Sequence, residues 1–217
     1  MWATPVTLAQ LKSAEGETFR QLFAIYAASI SPREQKPEAW LRAMVGAPDY
    51  RVWVVQVAGG VVGFSILLLR PAEGFALLEY MAVAAEQRSG GLGSKLFQRT
   101  VEHAATPQGA RLPVLLEVDS DREASSDQAI RTRRERFYRR LGCLKIVGLR
   151  YLMPLEGVGL APEMDLMIYP AESPGPLPRG QVKTWLQTIY RDVYHCSPDD
   201  PRIGQMLGPL PDPVSVE

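Results

Sequence analysis

The stretch "EQRSGGLGSKLF", residues 86–97, places Gly90, Gly91 and Gly93 between an apolar run and a segment of helical spacing. A surface turn needs one glycine, or two. Three at the mouth of a helix indicate that something approaches the backbone closely. The first amide N–H groups of a helix have no intrahelical partner, and the helix dipole leaves partial positive charge there. Phosphate oxygens satisfy both. The glycines remove the Cβ atoms that would hold a pyrophosphate off, and Arg88 adds a charged donor. The stretch reads as a phosphate cradle.

Two familiar cradles fail on spacing. A P-loop requires Gly-Lys-Ser/Thr, whereas here Gly93 is followed by Ser94 and then Lys95. A dinucleotide fingerprint requires G-x-G-x-x-G, and Gly91-Leu92-Gly93 continues as Ser94, Lys95 and Leu96. What remains is R-x-x-G-x-G, running from Arg88 through Ser89, Gly90, Gly91 and Leu92 to Gly93.

Upstream, Phe19, Leu22, Phe23, Tyr26 and Ile30 form a helical stripe, and "PEAWLRAMV" reads as a short helix with Pro37 at its first position. "YRVWVVQV" and "VVGFSILLL" read as a hairpin turning on Gly59-Gly60, followed by a third strand, "FALLEYMAVA". Leu92, Leu96, Phe97, Thr100 and Ala104 restore helical spacing after the glycines. "LPVLLEVDS" is the next strand. Ser125 to Gln128 has the spacing of a capping box, opening a helix that Gly142 ends. "CLKIVGLRYLM" and "EMDLMIYP" are strand-like, "QVKTWLQTIYRDVY" is helical and "LGPLPDPVSVE" is irregular. The order α, α, β, β, β, α, β, α, β, β describes one α/β domain with an antiparallel start and a parallel crossover in the middle.

Composition narrows the setting. The 217 residues are 46 % hydrophobic, enough for one buried core, and the formal charge of zero disfavours nucleic-acid or anionic-membrane surfaces. Arg70 and Pro71 break the longest apolar run, and the N-terminus lacks the order of a signal peptide. Cys143 and Cys196 suit free thiols in a reducing cytoplasm, with no metal site. His103 and His195 have no partners that suggest catalysis.

"EYMAVAAEQRSGGLGSKLF", "LLEVDS" and "RFYRRLGC", in that order, make residues 5–170 resemble the GNAT superfamily of acyl-CoA-dependent N-acyltransferases. The resemblance implies an α/β GNAT fold, with a mixed central sheet splayed around acetyl-CoA and flanking helices. It implies a GNAT acetyltransferase domain over residues 1–170. Residues 171–217 then form a proline-rich linker, a C-terminal helix and an irregular tail packed on the same domain. Arg88, Ser89, Gly90, Gly91, Leu92, Gly93 and Ser94 would cradle the pyrophosphate. Backbone groups of Met81, Ala82 and Val83 would pair with the pantetheine arm, and an N–H near Met81 or Val83 would receive the oxyanion. Tyr138 takes the position of the family's general acid. Glu117 takes that of the general base in the ribosomal-protein alanine acetyltransferases.

Acyl transfer to an amine also needs a carboxylate to accept the amine proton, and Glu79 competes with Glu117 for that role. Glu79 shares a strand face with Val83, four residues on. Apolar neighbours flank both glutamates, which raises a carboxylate's pKa when it is buried.

The chain departs from the family where an asparagine and a small residue are common, with Arg131 and Arg134 instead. At 100° per residue, Arg134 falls on the helix's apolar stripe between Leu141 and Tyr138 and must find an anion. Glu117 or Asp119, a cofactor phosphate, and an acceptor carboxylate are the candidates, with a protein or acceptor carboxylate preferred.

The acceptor, a small-molecule or peptide amine, would enter between residues 31–49 and 152–163. Glu34, Glu38, Asp49, Glu156 and Glu163 there could attract a cation. The oligomeric state stays open, with a homodimer one candidate, since the helix at 181–194 and the tail could cover a sheet edge. A non-catalytic acyl-CoA-binding module of the same fold is the competing reading. A nucleotide-phosphate enzyme is disfavoured because the P-loop lysine and a magnesium-ligand pattern are missing.

Overall fold

The computed structural model describes residues 5–88, 90–122, 127–155, 163–172 and 175–217. The chain is mixed α/β, with mostly antiparallel strands and flanking helices, the fold class expected from the sequence. It divides into two compact units, one built from residues up to 70 with 76–110, the other from 71–75 with 111–217. Among the described residues no helix is long and apolar enough to cross a membrane.

In the first unit four strands lie side by side in chain order: β1 (Val6–Gln10), β2 (Tyr50–Val57), β3 (Gly60–Arg70) and β4 (Phe75–Val83). The helices α1 (Glu17–Ser29), α2 (Glu38–Met44) and α3 (Leu92–Glu102) accompany them. Alternation along β2 explains how two helical layers are served by one strand. Val52 and Val54 join Phe19, Leu22 and Tyr26 of α1 and Leu41 of α2 in one cluster. Trp53 and Val55 join Leu92 and Leu96 of α3 in the other. All four β2 residues are buried as a result.

The hairpin differs from expectation by one residue. Val57 pairs with Gly60, so the two-residue turn is Ala58-Gly59, with φ of 50° and 80°. A non-glycine in that region costs roughly 1 kcal/mol. In the same pair of strands, the register shifts between Val55, opposite Gly63, and Gln56, opposite Val61. Val62 is therefore the extra residue of a bulge, and its carbonyl accepts from the amide of Ala84 at 2.8 Å. Gly63 lets β3 and β4 approach: a Cβ there would lie 3.0 Å from the Ala82 carbonyl oxygen. The sequence reading missed β1 altogether, an exposed edge strand antiparallel to β2.

The second unit orders its strands β5 (Val114–Asp119), β8 (Glu163–Tyr169) and β6 (Leu144–Lys145), with β7 (Tyr151–Leu152) also paired to β8. All three partnerships of β8 are antiparallel. The single strand expected over residues 143–153 is two short ones, separated by Gly148 at φ 78°. Helix α4 (Gln128–Arg140) begins after Asp127, which makes no side-chain cap, and Gly142 at φ 95° follows its end. Ser125, the expected capping residue, lies outside the described residues.

Helix α5 (Arg179–Asp192) buries Val182, Trp185, Leu186, Ile189 and Tyr190. A sixth helix, α6 (Pro201–Leu207), was not foreseen, although Asp200 caps it by accepting from the Arg202 amide at 3.0 Å. The tail is held rather than loose. Leu177 and Val214 exchange two backbone hydrogen bonds of 2.8 Å, and Lys145 and Glu217 exchange bonds of 2.7 and 3.0 Å.

Candidate active site

In the first unit β4 ends at Val83, and a 3-10 turn over Ala85–Gln87 leads to Arg88. The Arg88 guanidinium folds back, its Nε donating to the Val83 carbonyl at 3.0 Å, while the residue stays exposed. Gly90 and Gly91 are exposed, and Gly91 adopts φ 77° as the residue before α3. No side chain caps that helix. A Cβ on Gly91 would meet nothing within 4 Å, so the space above it is open. Leu92 turns inward against Trp53, and Gly93 and Ser94 are half-buried in the first helical turn. Ser89 lies outside the described residues. Met81 and Val83 pack partly on the Trp53 cluster, and Tyr80 and Ala82 on the Tyr26 cluster, as alternation requires.

Glu79 is fully engaged. Its Oε2 accepts from the Lys36 ammonium at 2.6 Å and its Oε1 from the Tyr50 hydroxyl at 2.6 Å. The two charged side chains are 2 % and 11 % exposed, carboxylate and ammonium respectively. Burial, with the Glu79 charge second, raises the Tyr50 pKa, so the phenol remains a donor. The same segment is pinned elsewhere: the Lys36 amide donates to the Tyr26 hydroxyl, and the Tyr80 hydroxyl donates to the Glu34 carbonyl.

In the second unit Glu117 is half-buried on β5, opposite Leu166 of β8. The Tyr194 hydroxyl, just beyond α5, donates to both its oxygens, at 2.9 and 2.8 Å. Tyr151 stands opposite Met164, which in turn stands opposite Asp119, so Tyr151 shares the sheet face of Glu117. The Tyr151 hydroxyl is buried without a well-formed hydrogen bond among the described residues. Burial, then the charge of nearby Glu117, raises its pKa well above the usual tyrosine value.

Tyr138 is buried on α4, its ring edge-on to Phe137 at 5.1 Å. Burial pushes its pKa up to about 12, with the Arg134 charge pulling the other way. Cys143 is buried nearby and is also pushed up to about 12 by burial. Arg134 donates to Asp119, one of the anions anticipated for it. Its side chain is 48 % exposed rather than set in an apolar stripe, because the strand-end carboxylate draws the guanidinium outward.

Most acidic side chains expected near an acceptor already hold arginines. Glu38 pairs with Arg42, Asp49 with Arg70, and Glu163 with both Arg122 and Arg150. Glu156 lies outside the described residues. Asp121, Glu135 and Asp165 converge closely enough for a metal, but Asp165 is held by Arg122 and by Lys145, at 2.7 Å from the latter. Sequence reasoning missed Lys36, Tyr50, Tyr151 and Tyr194. No local pattern marks them, since the fold brings each to its glutamate from 29 to 77 residues away for the three that hydrogen-bond.

Residues 48–142 match the acetyltransferase (GNAT) domain family. That span contains Glu79, the glycine stretch, Glu117 and Tyr138, but neither Tyr151 nor Tyr194. No curated protein matches the chain. Among solved structures, a GNAT-family protein from Bacteroides thetaiotaomicron superposes with a TM-score of 0.67 at 20 % identity, covering 87 % of this chain and 98 % of that one. An aminoglycoside 6'-N-acetyltransferase complexed with coenzyme A gives 0.59 at 16 % identity, with coverages of 78 % and 99 %. The ribosomal-protein-S18-alanine N-acetyltransferase from Escherichia coli gives 0.53 at 20 % identity, with coverages of 79 % and 97 %. The glycine stretch before α3, the strand carboxylates and the helix tyrosine thus lie within the span that matches the acetyltransferase (GNAT) domain family, in a chain whose fold is that of GNAT structures.

Proposed function

We propose that this chain is an N-acetyltransferase that moves the acetyl group of acetyl-CoA to a primary amine, by direct attack in a ternary complex. The observation that carries the reading is the family match over 48–142, a span that includes Glu79, the Arg88–Ser94 stretch, Glu117 and Tyr138. Within the Arg88–Ser94 stretch, Arg88, Gly90 and Gly91 are exposed, and with the uncapped start of α3 they are suited to a pyrophosphate. Met81, Ala82 and Val83 offer backbone groups to the pantetheine arm, and an N–H near Met81 or Val83 is our choice of oxyanion donor. No metal enters the scheme. The acceptor is a small-molecule or peptide amine.

Of the two glutamates, Glu117 is the better base. Glu79 holds a lysine ammonium and a phenol on its two oxygens, and that pairing suits it to anchoring residues 31–36. Glu117 is half-buried and takes the amine proton, directly or through water. With that proton gone from the ammonium, the neutral nitrogen bonds to the thioester carbon. The C–S bond breaks with its electron pair leaving on the sulfur, as a thiolate that accepts a hydrogen bond from the Tyr138 hydroxyl. The nitrogen's second proton passes to water. We assign residues 1–170 to the catalytic domain and 171–217 to a segment packed on it. We also place the protein in the cytoplasm and hold a homodimer as the oligomeric state to test.

Thiol release from acetyl-CoA across a panel of amines tests the activity. Cofactor binding with no release for any amine would favour a non-catalytic binding module. With an acceptor in hand, Glu117→Gln should remove the acidic limb of the pH–rate profile, and an intact limb moves the role to Glu79 or water.

The cradle has a separate test. Gly91 is a poor site for it, since φ 77° would strain any side chain there. Gly93 lies inside α3 without a positive φ. Gly93→Val should weaken acetyl-CoA binding by about ten-fold or more with an unchanged melting temperature. Calorimetry giving parental affinity would remove the phosphate from this stretch.

A further inference from the structure

We propose that Tyr194, supplied by the C-terminal segment outside the matched domain, is a positioning residue for Glu117, holding it ionised and aimed for proton abstraction. The inference rests on Glu117 being the general base. The Tyr194 hydroxyl lies 2.9 and 2.8 Å from the two carboxylate oxygens, so its one proton is shared between them and holds the end of the side chain in place. A hydrogen bond to the charged form favours that form, so the phenol works against the burial that would protonate the glutamate.

Tyr194 is itself held firmly. It follows the buried face of α5, and Val193 beside it is buried. His195, next in the chain, takes φ 55°, a conformation rare outside glycine, and so turns the backbone sharply after the tyrosine. The Cys196 amide closes that turn by donating to the Tyr190 carbonyl at 2.9 Å. The Tyr190 hydroxyl donates to the Leu152 carbonyl on β7, and the Arg202 guanidinium lies 5.4 Å from the Tyr190 ring. Leu152 in turn donates to the Met206 sulfur of α6 at 3.2 Å. Helices α5 and α6 are thus tied to the strand next to β8, and Tyr194 is the point where that scaffold meets the glutamate. Among the described residues, ionisable groups around Glu117 include Tyr194 and Tyr190 from the α5 side, Cys196 beyond them, and Tyr151 from β7. Asp119, two residues along the strand on the same face, is paired with Arg134.

Tyr194→Phe removes one oxygen from a half-exposed residue and leaves the scaffold in place. Two readouts are needed, one of them independent of turnover. Carbon-13 NMR of labelled glutamates follows the Glu117 carboxyl, identified by its absence in Glu117→Gln. The pH–rate profile follows the base during catalysis. In Tyr194→Phe both the NMR midpoint and the acidic limb should move up by about one pH unit, with kcat lowered and the KM for acetyl-CoA unchanged. An NMR midpoint that stays put overturns the proposal, while Glu117 keeps its role if Glu117→Gln still loses the limb. A limb that survives in Glu117→Gln overturns the base assignment, and the positioning role falls with it.

Discussion

Tyr138→Phe should lower kcat about 100-fold while acetyl-CoA binds as before, the low end of what a positioned proton donor contributes. The low end follows from the environment of the phenol. Burial sets its pKa at about 12, whereas an ordinary thiol sits near 8.5. Complete proton transfer from tyrosine to the sulfur is therefore uphill by roughly three pKa units. The hydroxyl can still donate a hydrogen bond to the sulfur as negative charge grows there. Hydrogen bonds to charged groups are worth about 1.5–3 kcal/mol, which spans a 100-fold effect. The sign of the pKa shift gives a second check. A raised phenol pKa keeps the donor protonated, so the loss should be uniform between about pH 6 and pH 9, without an alkaline limb from this residue. Rates equal to the parent would show that the thiolate leaves unaided or by another donor.

Lys36→Met should cost about 3–5 kcal/mol of stability, because it strands a carboxylate that is 2 % exposed. For a chain of this size that is on the order of 10 °C in melting temperature. Surface ion pairs rarely reach such values, but here the carboxylate side chain is 2 % exposed and the Tyr50 hydroxyl occupies its second oxygen. The double variant Lys36→Met with Glu79→Gln should recover most of the loss. It removes the charge yet leaves an amide oxygen for Tyr50. A single variant that melts within about 2 °C of the parent would mean that the pair contributes little to stability.

Elements with strong periodicity were legible in the sequence. The α1 stripe of Phe19, Leu22 and Tyr26 and the apolar strands β2 to β5 stand where their spacing puts them. Errors arose where a few residues decide. The hairpin turn slid by one because Ala58 accepts a left-handed backbone that glycine pairs usually mark. Strand β1 escaped because its exposed, edge-strand residues show little burial pattern. Helix α6 escaped because it is short, although Asp200 before Pro201 is a starting signal. In the candidate site, residues of one continuous stretch could be named from the sequence. Those that hold the glutamates could not, since Lys36 and Tyr194 arrive from segments far apart in the chain.

The two cysteines differ as reagents, and this bears on how the enzyme is assayed. A thiolate, not a thiol, attacks disulfide indicators. Cys143 is 1 % exposed with a pKa near 12, so it stays protonated and silent at working pH. Cys196 is half-buried beside the Tyr194 carbonyl. Any background signal from folded protein therefore belongs to Cys196, one equivalent per chain, against which coenzyme A release is measured. In a control without acetyl-CoA, a second equivalent would report unfolding that uncovers Cys143.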